Sequence, residues 1–128
     1  MVVPKKKLLE LIMEETAPSL SAEQTPEYIC GVAVTLDFIG GKWKGVILWH
    51  LTRKTLRFSQ IRRRLPGITQ KMLTQQLREM ERDNLVHREV YAEVPPRVEY
   101  SLTERGRSLQ PILEAMCTWG KSNCELQR

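Results

Sequence analysis

Apolar residues recur at the three-to-four-residue spacing of helices along most of the chain, and shift toward alternation only between residues 86 and 102. Leu8, Leu9, Leu11 and Ile12 predict a short helix over residues 4–15, and the Ser-, Pro-, Glu- and Thr-rich stretch from Ala17 to Pro26 reads as a linker. A first core helix starts near Cys30, carries Val32, Leu36, Phe38 and Ile39, and ends at Gly40-Gly41. A second covers Lys42 to Thr52, with Trp43, Val46, Ile47 and Leu51 as its inward stripe. Leu56-Arg57 suits a short strand, Ser59 a cap for a helix over Gln60 to Leu65, and Pro66-Gly67 a turn. Thr69 caps the next helix, which runs to about Asn84. Val86 to Val94 and Arg97 to Leu102 are rich in β-favouring residues and flank Pro95-Pro96, which predicts a hairpin with a stiff tip. Thr103-Glu104 opens a last helix toward Glu125, which Pro111 kinks or breaks.

Helix, helix, short strand, helix, turn, helix, hairpin, helix is the order of a winged helix-turn-helix: mainly α with a small β-hairpin, an α+β fold. The 128 residues are one domain's worth, divided here into an N-terminal helix and linker, 1–27, and a folded domain, 28–128. Hydrophobic residues at 41% and charged residues at 27% give the balance of a soluble globular chain. The longest uninterrupted apolar run, Val46 to Trp49, is far too short to cross a bilayer. Glu10, Glu14 and Glu15 interrupt the apolar core that a signal peptide would need after Lys5-Lys6-Lys7, so a cytoplasmic protein is expected.

Charge changes the picture more than composition does. The net charge is +5, yet residues 42–88 hold twelve Lys or Arg against three Asp or Glu. A basic block on a near-neutral scaffold is the footprint of a phosphate-binding surface. On the helix after Thr69, Thr74, Gln75, Arg78 and Arg82 fall within about 60° of Lys71, while Leu73, Leu77 and Met80 fall opposite. Gln and Arg can pair bidentately with adenine and guanine edges, and Thr69 and Gln70 stand at the end that such helices insert into the major groove. Arg62, Arg63 and Arg64 lie on the preceding helix, which crosses the sugar-phosphate backbone in this architecture. On the hairpin, Arg88 precedes the tip and Arg97 follows it. Arg97 suits either the minor groove and flanking phosphates or a salt bridge to Glu93 or Glu99. An ordinary solvated basic face is the alternative to all of these assignments.

Four segments carry a family resemblance: Thr35-Leu36-Asp37-Phe38-Ile39-Gly40-Gly41-Lys42-Trp43; Arg57-Phe58-Ser59; Leu65-Pro66-Gly67-Ile68-Thr69-Gln70-Lys71-Met72-Leu73; and Val94-Pro95-Pro96-Arg97-Val98-Glu99-Tyr100-Ser101-Leu102-Thr103. Together they resemble the HxlR family of bacterial winged-helix regulators, relatives of the MarR group, over about residues 30–120. The resemblance implies a homodimer joined by its N- and C-terminal helices, double-stranded DNA with a palindrome-like operator as partner, and repression or activation of nearby genes. Ser59, Arg62, Arg63, Thr69, Gln70, Lys71, Thr74, Gln75, Arg78, Arg88 and Arg97 are the expected DNA contacts. The family pattern often has Pro after the cysteine matching Cys30; this chain has Gly31.

Cys30, Cys117 and Cys124 cannot all pair within one chain, which fits a reducing compartment or a thiol-based sensor better than a disulfide framework. Cys30 stands at a helix start, where unpaired N–H groups and the helix dipole favour the reactive thiolate. Several regulators resembling the HxlR kind sense oxidants or electrophiles through a cysteine there, and crossing terminal helices would let Cys124 of one subunit resolve an oxidised Cys30 of the other. Cys117 continues the stripe Leu109, Ile112, Leu113, Met116 and Gly120, as a small core or interface residue. Inert packing of all three is the alternative. No metal-ligand spacing, phosphate loop, dinucleotide fingerprint or nucleophile elbow occurs, so neither an enzyme nor a cofactor is expected. His50 is expected to cap or pack, and His87 to sit on the wing. Two other functional classes stay open: a MarR-like regulator with a small ligand at the dimer seam, lined by Trp43, Trp49 and Trp119, and a winged-helix protein-interaction module.

Overall fold

The structure, a computed structural model, describes residues 30–127. The expected helix over residues 4–15 and the linker after it lie outside that range. Two compact units divide after Gly41. The first contains α1 (Gly31–Ile39), with Cys30 as its N-cap. Thr35 donates its hydroxyl proton to the Gly31 carbonyl at 2.9 Å, and Gly40 closes the helix by donating N–H to Leu36 O.

The second unit opens with α2 (Lys44–Leu51), which buries Lys44, Ile47, Leu48 and Leu51. Val46, expected to point inward, is exposed, and Trp43 precedes the helix as its N-cap. The reason is angular. Ile47, Leu51, Lys44 and Leu48 span an arc of about 100°, and Val46 lies on the far side of it. A lysine on the inward arc disguised that face in the sequence.

Next come β1 (Leu56–Arg57) and α3 (Phe58–Arg63). Ser59 does not cap α3; it lies inside the first turn, and the N-cap is Arg57, whose N–H donates to Gln60 Oε1 at 2.9 Å. The helix also ends at Arg63, short of Leu65. Gly67, at φ +93°, turns the chain into α4 (Gln70–Arg82), two residues shorter than expected. Thr69 caps it as expected, its Oγ1 accepting from Met72 N–H at 3.0 Å.

The wing is β2 (Val86–Tyr91) with β3 (Arg97–Leu102), paired antiparallel from Val86↔Leu102 to Tyr91↔Arg97. The first strand stops short of the expected Val94, because residues 92–96 lie beyond the last cross-strand pair. β1 adds to the other edge through Leu56↔Tyr100 and Arg57↔Glu99, giving a three-stranded sheet in the order β1-β3-β2. The last helical region is broken into α5 (Glu104–Arg107) and α6 (Gln110–Asn123), followed by a 3₁₀ turn, Cys124–Gln127. Pro111 sits in the first turn of α6, where the missing N–H has no helical partner to lose. Ile47, Leu48, Leu56, Ile61, Leu65, Leu73, Leu77, Met80, Leu85 and Val86 make the interior of this unit. These elements are those of a winged helix-turn-helix.

Candidate nucleic-acid interface

α4 is held from its inner side. Leu73, Leu77 and Met80 are buried, and they recur at the spacing that puts them on one arc. A second anchor was invisible in the sequence. Lys44, on α2, reaches Glu79, on the flank of α4, with Nζ 3.1 Å from Oε1. Neither residue is special in a linear reading; only the inward placement of Lys44 reveals the pair.

The opposite side of α4 is open. Lys71, Gln75, Arg78 and Arg82 are exposed, and with Gln70 and Thr74 they border one shallow depression on a single helix face. No other described residue borders it. The structure therefore brings together the side chains that helical geometry grouped. Thr74 is the partial exception. It is half-buried, and its hydroxyl proton is donated to the Gln70 carbonyl at 2.8 Å, which leaves its lone pairs and methyl to meet a partner. Thr69 spends its oxygen on the cap.

Ser59, Arg62 and Arg63 are exposed on α3, and Arg64, just after it, is tied back to the Gln60 carbonyl at 3.0 Å. On the wing the two arginines differ. Arg88 is exposed on β2 opposite Tyr100. Arg97 is engaged within the hairpin: Nη2 lies 3.2 Å from Glu93, Nε 3.8 Å from Glu99, and its guanidinium stacks 4.1 Å from the Tyr91 ring centre. For Arg97, the salt-bridge alternative is the one the geometry displays. His87 pairs with Glu89 at 2.7 Å on the same hairpin. His50 is half-buried on α2, and burial, then the Arg64 charge, lower its pKa from the ordinary 6.5.

The three cysteines are free thiols. Cys30 is exposed at the start of α1, without a side-chain capping bond. Cys117 is half-buried on α6, and Cys124 is exposed, its thiol donating to the Lys121 carbonyl at 3.4 Å. The stripe expected around Cys117 divides in two. Leu113 is buried, whereas Ile112 and Met116 are exposed, and Trp119, outside the expected stripe but one turn beyond Met116, is exposed with them at 70%. Trp43 and Trp49 are half-buried, each under a cation: Lys42 at 4.8 Å and Arg53 at 4.6 Å. No helix among the described residues is long and apolar enough to cross a membrane.

The profile of the HxlR-like helix-turn-helix family matches residues 38–128. A Methanothermobacter thermautotrophicus protein described as an uncharacterised HTH-type transcriptional regulator is 60% identical over 95 residues, which are 74% of this chain and 72% of that protein. The Bacillus subtilis HTH-type regulator YybR is 60% identical over 94 residues, 73% of this chain and 75% of its own. Among solved structures, the redox regulator HypR in its oxidised form superposes with a TM-score of 0.71 at 60% identity, covering 73% of this chain and 97% of that one. Its reduced form gives 0.73 at 56%, covering 77% and 97%. Such relatives are transcriptional regulators, a non-enzymatic class. With the uncovered cationic face of α4 and the wing beside it, these likenesses place the chain in the HxlR-like helix-turn-helix family, as a transcriptional regulator with the helix-turn-helix DNA-binding fold.

Proposed function

We propose that the protein is a cytoplasmic repressor that binds a palindrome-like operator as a homodimer and responds to thiol oxidation or electrophiles. One observation carries the DNA reading: the face of α4 that bears Lys71, Gln75, Arg78 and Arg82 is open, while the arc opposite is locked into the interior. Such a helix, with its N-terminus at Thr69 and Gln70, suits the major groove. Ser59, Arg62 and Arg63 on α3 and Arg88 on the wing suit phosphates, which fix register without reading sequence. Arg97 braces the hairpin instead.

The apolar stripe Ile112, Met116 and Trp119 supports self-association through α6, since a monomer gains nothing from leaving it in water. On this reading residues 28–128 are one operator-binding domain that ends in a dimerisation helix. Likeness to a redox regulator supports the thiol switch, with the exposed Cys30 of one subunit and Cys124 of the other as the reacting pair.

The experiment is a selection of bound duplexes from a randomised pool, run with reduced and oxidised protein. Sequence enrichment by the reduced form, with two half-sites about one duplex turn apart, is the expected result. Enrichment of no sequence overturns the operator reading. Non-reducing gels of Cys30→Ser and Cys124→Ser test the switch separately; monomer bands and DNA affinity that oxidant leaves unchanged in the parent protein overturn it.

A further inference from the structure

Arg88 is in an unexpected place for a cation. Alternation along β2 puts it on the same side of the sheet as Val86, and its cross-strand neighbours there are Tyr100 and Leu102. Val86, Tyr100 and Leu102 are buried, so this is the inner face of the wing. Arg88 is nonetheless exposed, because at its position the sheet and α4 part around a cleft of about 380 Å³. Phe58, Leu77 and Tyr100 contribute apolar walls, and Arg78 and Glu81 come from α4. Among the described residues neither Arg78, Arg88 nor Glu81 has an ion-pair partner within 4 Å. Two uncommitted guanidinium groups from different elements thus face one space. On the outer face of the same wing the charges are already matched, Glu89 lying against His87 and Glu99 against Arg97, so the inner face is the one that offers unpaired cations to a polyanion.

We propose that this cleft seats one backbone phosphate of the bound duplex, gripped between Arg78 and Arg88, and that Glu81 at its edge tempers that grip. The proposal rests on the DNA-binding reading above and reassigns Arg78 from base reader to phosphate ligand. Guanidinium forks match phosphate oxygens bidentately. The stepping of α4 agrees. Gln70, Glu81 and Thr74 lie on the wing-side flank, Lys71, Arg82 and Gln75 lie outward, and Arg78 lies at the border between the two sets. Lys71, Gln75 and Arg82 then carry the base contacts. Glu81 repels the phosphate at close range, so the clamp holds any duplex less tightly than the two guanidinium groups alone would.

The test compares a duplex recovered by selection with one of scrambled sequence, over a range of salt. Arg78→Gln and Arg88→Gln should each weaken both duplexes alike, about tenfold, and lower the log–log salt slope by about 0.9, the value of one phosphate contact. Glu81→Gln should tighten both duplexes alike, about threefold, and leave the preference between them unchanged. A neutral methylphosphonate scanned through the selected duplex leaves the protein untouched. At one position it should weaken the parent protein but not Arg88→Gln. A loss with Arg78→Gln confined to the selected duplex, or a scan with no position at which Arg88 ceases to matter, overturns the clamp. A parent protein that prefers no duplex overturns the DNA reading itself, which is a separate outcome.

Discussion

The contact most open to a quantitative test is the ion pair between Lys44 and Glu79. Lys44 is 7% exposed and its side chain is surrounded by the interior of the helical unit, whereas Glu79 keeps 28% of its side-chain surface. At 3.1 Å, opposite unit charges attract by about 5 kcal/mol at an effective dielectric constant of about 20. Much of that offsets the desolvation of the ammonium, so the pair adds little net stability over an apolar pair of the same shape. Removing only the carboxylate is different: the desolvated lysine keeps its cost and loses the attraction of this carboxylate. For a fully buried pair that costs about 3–5 kcal/mol. Water reaches the Glu79 side, which places Glu79→Leu near about 2–3 kcal/mol.

A double-mutant cycle measures this. Glu79→Leu should lower Tm by about 8–12 °C, at about 4 °C per kcal/mol for a domain of this size. Lys44→Met should cost less, about 1 kcal/mol, because the half-solvated carboxylate can rehydrate. The double variant should return to within about 1 kcal/mol of the parent, giving a coupling energy of about 2 kcal/mol. All four proteins must be melted at one concentration, since self-association shifts Tm by mass action. A coupling energy below about 0.5 kcal/mol would mean the pair behaves as a surface contact, and the account of α4 as a helix pinned from two sides would be wrong.

His50 makes stability pH-dependent. Its pKa is lowered in the folded chain, so between that lowered value and 6.5 the unfolded chain binds more protons, and stability falls on acidification through that window. Denaturant melts at several pH values should show this slope and lose part of it in His50→Gln; an identical slope in both proteins removes His50 as its source. Trp119→Asp should leave the monomer fold intact, because Trp119 is 70% exposed, yet shift sedimentation from dimer to monomer. A variant that stays dimeric excludes the Ile112–Met116–Trp119 stripe as the interface.

The sequence was most legible where one periodicity ruled. The apolar arc of α4 and its cap at Thr69 were readable because Leu73, Leu77 and Met80 have no rival pattern and Thr69 stands just before them. The hairpin was readable from Pro95-Pro96 between two β-rich runs, and the break at Pro111 from the geometry of proline. The inward face of α2 was misread because a lysine lay on it. Ser59 was misread as a cap because a short polar residue before an apolar run looks like one, while the Gln60 side chain performs that task for the Arg57 amide. Arg97 could not be decided in one dimension: its carboxylate partners, Glu93 and Glu99, were visible as candidates, but the ring of Tyr91 becomes its neighbour only when the two strands pair. Nor could Arg88 be assigned to the cleft, since that requires knowing which side of the hairpin faces α4.

Pinning α4 on two sides has a consequence for reading DNA that differs from its consequence for stability. Side-chain atoms lie about 5–6 Å from a helix axis, so rolling α4 by about 20° carries a contacting atom about 2 Å sideways. A hydrogen bond tolerates only about 0.5 Å in donor–acceptor distance. The apolar arc of Leu73, Leu77 and Met80 resists such a roll through packing, which yields gradually. The Lys44–Glu79 pair resists it through one fixed distance on the flank away from the wing. Replacing both residues by apolar ones should therefore spare Tm while letting Lys71, Gln75 and Arg82 wander relative to base edges. Lys44→Met/Glu79→Leu should bind a scrambled duplex as the parent does, but prefer a selected duplex about tenfold less, the equivalent of roughly one good base contact. Equal preference in the two proteins would show that packing of the apolar arc alone fixes the roll of α4, and that the buried lysine serves stability without serving recognition.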